Sequence, residues 1–97
     1  MKPFEFHDEA RAELDAAAGY YDAQAPGTGK RFLLAADTAI QRLLYDPSAR
    51  PVAVGNVRRQ PVEDFPYDIL FVDEPHRVWI VAAVHYSRRT AYWRNRL

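Results

Sequence analysis

The chain has 97 residues, no net charge at pH 7 and 48% hydrophobic residues. This length supports a single hydrophobic core, so we predict one domain over residues 1–97. The hydrophobic content excludes a chain disordered by composition, and the absence of cysteine excludes disulfides and thiolate metal sites.

The first half of the chain is predicted to form a short strand followed by two helices. Residues 4–6 alternate between apolar and polar after a proline, which is typical of an edge strand. Apolar residues then recur at helical spacing from about residue 10 to residue 25, and the sequence PGTG at 26–29 ends this helix. A second apolar stripe predicts a helix from about Lys30 to about Tyr45. Because the connection is short, the two helices are expected to pack as an antiparallel hairpin.

The second half is predicted to form a sheet. Residues 52–59 read as one strand that is interrupted or bulged at Gly55-Asn56. Residues 67–72 and 78–85 are apolar at nearly every position, as expected of central strands covered on both faces. The polar residues 73–76 between them suit a hairpin turn.

The order of these elements predicts the fold class. A strand, two helices and then three consecutive strands indicate an α+β protein. We expect an N-terminal strand, an antiparallel helical hairpin, a three-stranded antiparallel sheet with the helices on one side, and a short C-terminal tail.

Charge is distributed unevenly along the chain. Residues 1–48 carry five basic and eight acidic side chains, whereas residues 49–97 carry eight basic and five acidic ones. Every basic residue of the second half is an arginine. This pattern is either an ordinary solvated surface or the basic end of a dipolar molecule that binds an anion.

Arginines and aromatic residues alternate at the ends of the predicted strands. They are Arg58 and Arg59 on one strand, and Tyr86, Arg88, Arg89, Tyr92, Trp93, Arg94 and Arg96 after the last strand. Guanidinium groups bind phosphate or carboxylate bidentately, and aromatic rings stack on bases. The set therefore suits RNA or an acidic protein segment, unless its members pair with acidic residues of the same half.

We expect Arg59, His85, Arg88 and Tyr92 to converge at one end of the sheet, because strands two apart in an antiparallel sheet finish at the same edge. Strict alternation would place His85 on the face that carries Trp79. There His85 is either a general base or a half-buried histidine with one hydrogen-bond partner.

Other kinds of site are not expected. The three histidines lack the paired spacing of metal ligands, and there is no Gly-rich phosphate loop, so we predict no metal and no cofactor. No apolar run approaches the roughly 20 residues of a membrane span, and the N-terminus has no signal-peptide core. We therefore expect a cytoplasmic protein that does not contact membranes.

Several segments, taken in order, carry a family resemblance. They are Asp8-Glu9-Ala10, Glu13-Leu14, Tyr20-Tyr21, Leu43-Leu44, Asp46-Pro47, Arg58-Arg59, Phe65-Pro66-Tyr67-Asp68-Ile69, Ala83-Val84-His85, Arg88 and Tyr92-Trp93. With these segments the chain resembles the RelE/ParE superfamily of toxins from bacterial type II toxin–antitoxin systems. The resemblance implies a helical hairpin against an antiparallel sheet. It also implies a cognate antitoxin that wraps the toxin, and hence a possible toxin–antitoxin hetero-oligomer.

Members of this superfamily differ in activity. RelE-like toxins cleave messenger RNA on the ribosome, and ParE-like toxins block DNA gyrase. RelE-like enzymes place an arginine after the tyrosine that matches Tyr67, whereas this chain has Asp68, a reversal of charge where phosphate needs stabilising. The resemblance thus favours a toxin that binds an essential target, with DNA gyrase as the candidate. A ribosome-dependent mRNA endonuclease and a non-toxic antitoxin-binding module stay as alternatives, and whether the protein is an enzyme is left open.

Two sets of candidate residues follow. The catalytic candidates are Arg59, His85, Arg88 and Tyr92. The candidates for binding the target or an anion are Arg58, Arg59, Arg88, Arg89, Trp93, Arg94 and Arg96.

Overall fold

A computed structural model describes residues 2–88 and 91–97 of the chain. Its helices are α1 (Asp8–Gln24) and α2 (Thr28–Tyr45), with short 3-10 turns at Pro47–Ala49 and Arg94–Arg96. Its strands are β1 (Phe4–Phe6), β2 (Val52–Val54), β3 (Val57–Pro61), β4 (Tyr67–Asp73) and β5 (Val78–His85). Within the described residues, no helix is both long and apolar enough to cross a membrane.

The predicted helical hairpin is confirmed, and its connection depends on two glycines. Gly27 adopts a left-handed conformation with φ of 89°, and its N–H donates to Asp22 Oδ1 at 3.0 Å. The N–H of Gly29 donates to the same oxygen at 3.0 Å. A Cβ on Gly29 would lie 2.4 Å from the carbonyl oxygen of Ala18, so only glycine permits this close approach of α2 to α1. The second helix begins at Thr28, two residues earlier than its apolar stripe indicates.

The sheet has five strands in the order β1-β5-β4-β3-β2, so the expected three-stranded antiparallel sheet is wrong in strand number and topology. Strand β1 lies at an edge as predicted, but it pairs in parallel with β5. The segment expected to be one bulged strand is a hairpin, in which β2 and β3 pair antiparallel with Val54 opposite Val57. Gly55, with φ of 54°, allows the chain to reverse within two residues. Strands β4 and β5 are central, as predicted.

A bulge in β5 changes which residues face the helices. Leu70 pairs with Ala82 and Phe71 pairs with Ile80, so Val81 is the extra residue. After the bulge, Ala83 packs toward the helices, whereas Trp79 packs on the opposite face. The expectation that His85 shares the face of Trp79 is therefore wrong, because strict alternation does not continue through a bulge.

The sheet buries apolar residues on both faces. The face against α1 and α2, here called the helix face, contributes to a core that includes Phe32, Leu43 and Phe71. The opposite face, here called the tail face, is covered by the described part of the C-terminal tail, residues 86–88 and 91–97. Its buried residues are Val57, Leu70, Val72, Val81, Ala82 and Trp93.

Candidate functional site

The tail turns back directly after β5 and forms one wall of a groove. The backbone N–H of Tyr86 donates to the carbonyl of Pro66, and that of Arg88 donates to the carbonyl of His85. Trp93, 3% exposed, then inserts into the tail-face core. The tail is thereby held against the end of the sheet where β4 begins and β5 finishes.

Between the tail and the sheet lies a cavity of about 400 Å³, which we call the tail groove. It is lined by Ala53, Val54, Arg59, Asp68, Leu70, Val84, His85, Tyr86, Arg88 and Trp93. The structure thus brings together three of the four residues expected to converge, namely Arg59, His85 and Arg88. The fourth, Tyr92, lies beside Arg88 and outside the groove lining.

An acidic residue sits inside this otherwise basic groove. Asp68 Oδ2 lies 3.7 Å from Arg59 Nη1, and its other oxygen accepts a hydrogen bond from the Tyr86 hydroxyl at 3.4 Å. The Asp68 side chain is 16% exposed. Desolvation raises the pKa of this carboxyl, and the charge of Arg59 and the hydrogen bond from Tyr86 oppose that rise. The carboxylate offsets part of the positive charge that Arg59 would offer to an anion.

His85 is held by its neighbours in a defined orientation. Its Nδ1 accepts the backbone N–H of Ser87 at 3.0 Å, and the Ser87 hydroxyl lies 2.8 Å from the same nitrogen. Its ring meets the ring of Tyr67 edge-on, with 5.2 Å between centroids. Since Nδ1 is an acceptor, the neutral ring carries its proton on Nε2 and can donate a hydrogen bond from there. This arrangement suits hydrogen-bond donation to a partner better than proton abstraction at Nε2.

Arg88 is exposed at the rim of the tail groove and stacks on Tyr92. The Arg88 guanidinium carbon lies 4.4 Å from the centroid of the Tyr92 ring, within the range of a cation–π contact. The Tyr92 hydroxyl donates to Glu13 Oε2 at 2.7 Å. Burial and the neighbouring carboxylate of Glu13 raise the pKa of Tyr92. Tyr92 therefore presents its ring to Arg88 while its hydroxyl is already bound.

Arg88 and His85 also border a second cavity, of about 440 Å³, on the helix face. Its lining includes Glu13 and small residues of α1 and β5, Ala16, Ala17 and Ala83. The two residues therefore form a rim between the tail groove and a cavity beside α1.

The remaining candidates divide into surface and interior positions. Arg94 is exposed, whereas Arg58 donates to the carbonyl of Arg50 at 2.6 Å. The Arg96 side chain is 7% exposed and bound by Glu13. Trp93 is 3% exposed and belongs to the tail-face core, so it contributes to the wall of the tail groove and not to its exposed surface. Arg89 lies outside the described residues.

Sequence reasoning missed Glu13 as a contributor to this region. Glu13 lies three residues after Ala10 and four before Ala17, both buried, so it belongs to the apolar side of α1. A charged residue at such a position is a signal for a buried pair, although its partner is 83 positions away in the chain.

Comparison with known proteins identifies the fold. No protein-family model matches the sequence, and no curated protein matches it. Among solved structures, a chain described as "Chromosomal ParDE TA system from P. aeruginosa" matches with a TM-score of 0.70 and 20% sequence identity. The match covers 88% of this chain and 96% of that chain. The protein therefore has the fold of that chain over nearly its whole length, and the predicted α+β class with a helical hairpin is confirmed.

Proposed function

We propose that the protein is the toxin of a type II toxin–antitoxin system and inhibits growth in the cytoplasm by binding an essential target, with DNA gyrase as the first candidate. The observation that carries the proposal is the shared fold with a chain of a ParDE system over 88% of this chain and 96% of that one. The sequence motifs that resemble the RelE/ParE superfamily support it independently.

The groove chemistry favours binding over RNA cleavage. Asp68 places a carboxylate where a scissile phosphate would need positive charge. His85 Nδ1 is occupied by the N–H of Ser87, and the hydroxyl of Tyr92 is bound to Glu13. The Tyr92 hydroxyl and His85 Nδ1 are thus engaged in contacts within the protein, and Nε2 of the neutral His85 ring is placed to donate a hydrogen bond rather than to accept a proton.

The exposed part of the groove suits a protein partner. Arg59 and Arg88 provide guanidinium groups, and Tyr86 and Val54 provide exposed apolar surface beside them. Arginine and aromatic residues are the types that contribute most to the affinity of protein interfaces. A target surface with an acidic side chain flanked by apolar residues would match this groove.

The cognate antitoxin is the second partner that we propose. Leu33 and Leu34 are exposed on α2, and Val52 is exposed on the edge strand β2. A segment with acidic and apolar side chains could cover these residues as it folds across the hairpin and along the sheet. We expect the two gene products to co-purify at high salt, and a complete failure to associate would contradict this part of the proposal.

The test is induced expression in a bacterial host, with and without the neighbouring gene. A toxin that blocks gyrase arrests growth, triggers the DNA-damage response and leaves messenger RNA intact. Growth arrest with cleavage of messenger RNA that His85→Gln abolishes would replace the proposal with the endonuclease alternative. An absence of any growth effect would favour the non-toxic antitoxin-binding module.

A further inference from the structure

The carboxylate of Glu13 joins three separate parts of the molecule. Besides the hydroxyl of Tyr92, it accepts hydrogen bonds from Arg96 Nη1 and Nη2, each at 3.0 Å, and from the backbone N–H of Ala83 at 3.0 Å. Its side chain is 18% exposed, and the more exposed Glu9 lies 3.1 Å from Arg96 Nε. Helix α1, strand β5 and the tail therefore meet at one ion pair.

The position of this pair follows from the sheet. Strand β1 pairs with β5 as far as Phe6 opposite Ile80, and among the described residues no strand continues on that side of β5, whereas β4 covers its other side. The backbone groups at the bulge need other partners, since buried polar groups are nearly always hydrogen-bonded. Glu13 accepts from the N–H of Ala83, and Arg96 Nη1 donates to the carbonyl of Val81 at 3.1 Å.

The same pair is connected to the rim of the tail groove through one ring. Glu13 binds the hydroxyl of Tyr92, and Arg96 lies 5.2 Å from the Tyr92 ring centroid. The ring is thus held from two sides, and Arg88 stacks on it at 4.4 Å. The orientation of the exposed guanidinium of Arg88 therefore depends on a carboxylate of α1 that does not line the tail groove.

We propose that Glu13 is a positioning residue for the tail groove: it fixes Tyr92 and Arg96, and through the Tyr92 ring it sets Arg88 in place for a target. The proposal rests on the proposed function insofar as the tail groove is the site that a target occupies. Glu13 itself lines the cavity beside α1 and not the tail groove.

A target-free experiment tests the structural half of this proposal. Nuclei that lie over an aromatic ring resonate upfield, so NMR of the Arg88 Nε–Hε group reports its stacking on Tyr92. Glu13→Gln should remove the upfield shift, whereas the matched control Asp15→Asn, an exposed carboxylate of the same helix paired with Arg11, should preserve it. If Glu13→Gln fails to fold, Arg96→Lys replaces it in the same measurement. This variant retains the positive charge but loses the bidentate contact with Glu13, so the upfield shift of the Arg88 resonance should become smaller. If Glu13→Gln or Arg96→Lys folds and its Arg88 Nε–Hε resonance keeps the wild-type chemical shift, the proposal is wrong.

A double-mutant cycle separates positioning from a general effect on stability. Glu13→Gln should weaken inhibition of the target by about tenfold in the wild-type background, and by less than about twofold in an Arg88→Ala background. The same loss in both backgrounds would show that Glu13 does not act through Arg88 and would contradict the proposal. If wild-type protein inhibits no target, the proposed function fails, and the Arg88 resonance alone decides whether Glu13 positions this side chain.

Discussion

The two faces of the sheet are built in different ways. The helix face is covered by two regular helices, and its core contains the largest buried side chains of α2 and β4, Phe32 and Phe71. The tail face is covered by a segment whose described residues form no regular helix beyond one 3-10 turn, and that segment is attached through Trp93 and the Glu13–Arg96 pair. The larger core and the tail groove therefore lie on opposite faces of the sheet, with His85 and Arg88 at the rim between them. Their contributions can therefore be separated by mutation.

The largest change in the free energy of unfolding is expected from a substitution on the helix face. Phe32 is fully buried and contacts the rings of Tyr21, Phe65 and Tyr67 at centroid distances of 5.0 to 5.4 Å. Phe32→Ala should lower the free energy of unfolding by about 3–5 kcal/mol, because it removes a large side chain and leaves a cavity. Urea denaturation followed by circular dichroism measures the change, and a loss below about 1 kcal/mol would mean that the helix face is not the main core.

A smaller effect, limited to the tail, is expected when its ion pair is broken. Arg96→Ala leaves Glu13 without its guanidinium partner and should lower the free energy of unfolding by about 2 kcal/mol, less than for a fully buried pair. Hydrogen exchange should increase in residues 91–97 and stay unchanged in α1 and α2. Arg94→Ala is the matched control, since Arg94 is an exposed arginine of the same tail, and it should change stability by less than about 0.5 kcal/mol. Equal effects of the two variants would contradict the role assigned to the pair.

A substitution at the exposed part of the tail groove should change the affinity for the target and leave the stability of the fold unchanged. Arg59 is 43% exposed and lies 3.7 Å from its only partner among the described residues, Asp68. Arg59→Ala should weaken target binding by about 1–3 kcal/mol and change the free energy of unfolding by less than about 0.5 kcal/mol. Titration of the target with each variant, alongside thermal unfolding, separates the two quantities. The exposed Arg31 of α2 provides the control, and an equal loss of affinity in Arg31→Ala would show that the effect is only one of overall charge.

The smallest expected effect is on the pH dependence of stability, through Asp68. Because burial raises the pKa of Asp68, the folded state binds this proton more tightly than the unfolded state does. The contribution of Asp68 to stability is therefore greatest below its ordinary pKa and decreases as pH rises through the raised value. Asp68→Asn should remove this decrease and leave stability at pH 7 equal or higher by up to about 0.5 kcal/mol. A parallel pH profile for wild type and variant would contradict the assignment.

The helical hairpin and the two central strands could be predicted because their evidence is local. The apolar spacing of α2 and the nearly continuous apolar runs of β4 and β5 are visible within short windows of sequence. The bulge at Val81 could not be predicted, because strands that are apolar on both faces show no break in alternation when one residue is inserted. The parallel pairing of β1 with β5 joins segments more than 70 positions apart, with no turn to indicate it.

The candidate site was only partly predictable for a similar reason. Arg88 and Arg96 look alike in the sequence, as two arginines of one tail that also contains aromatic residues. In the structure one is exposed at a groove and the other is buried against Glu13, and that difference depends on a residue of the first helix. Sequence spacing could indicate that arginines gather at this end of the sheet, but not which of them are available to a partner.

Inhibition of gyrase by the purified protein tests the central claim most directly. The supercoiling activity of gyrase would be measured against increasing concentrations of wild type and of Arg88→Ala, with and without the co-purified antitoxin. Wild type should inhibit, the antitoxin should restore supercoiling, and Arg88→Ala should require about tenfold more protein while remaining folded. If wild type leaves supercoiling unchanged and instead cleaves messenger RNA on ribosomes, the protein is not a target-binding toxin of the kind proposed.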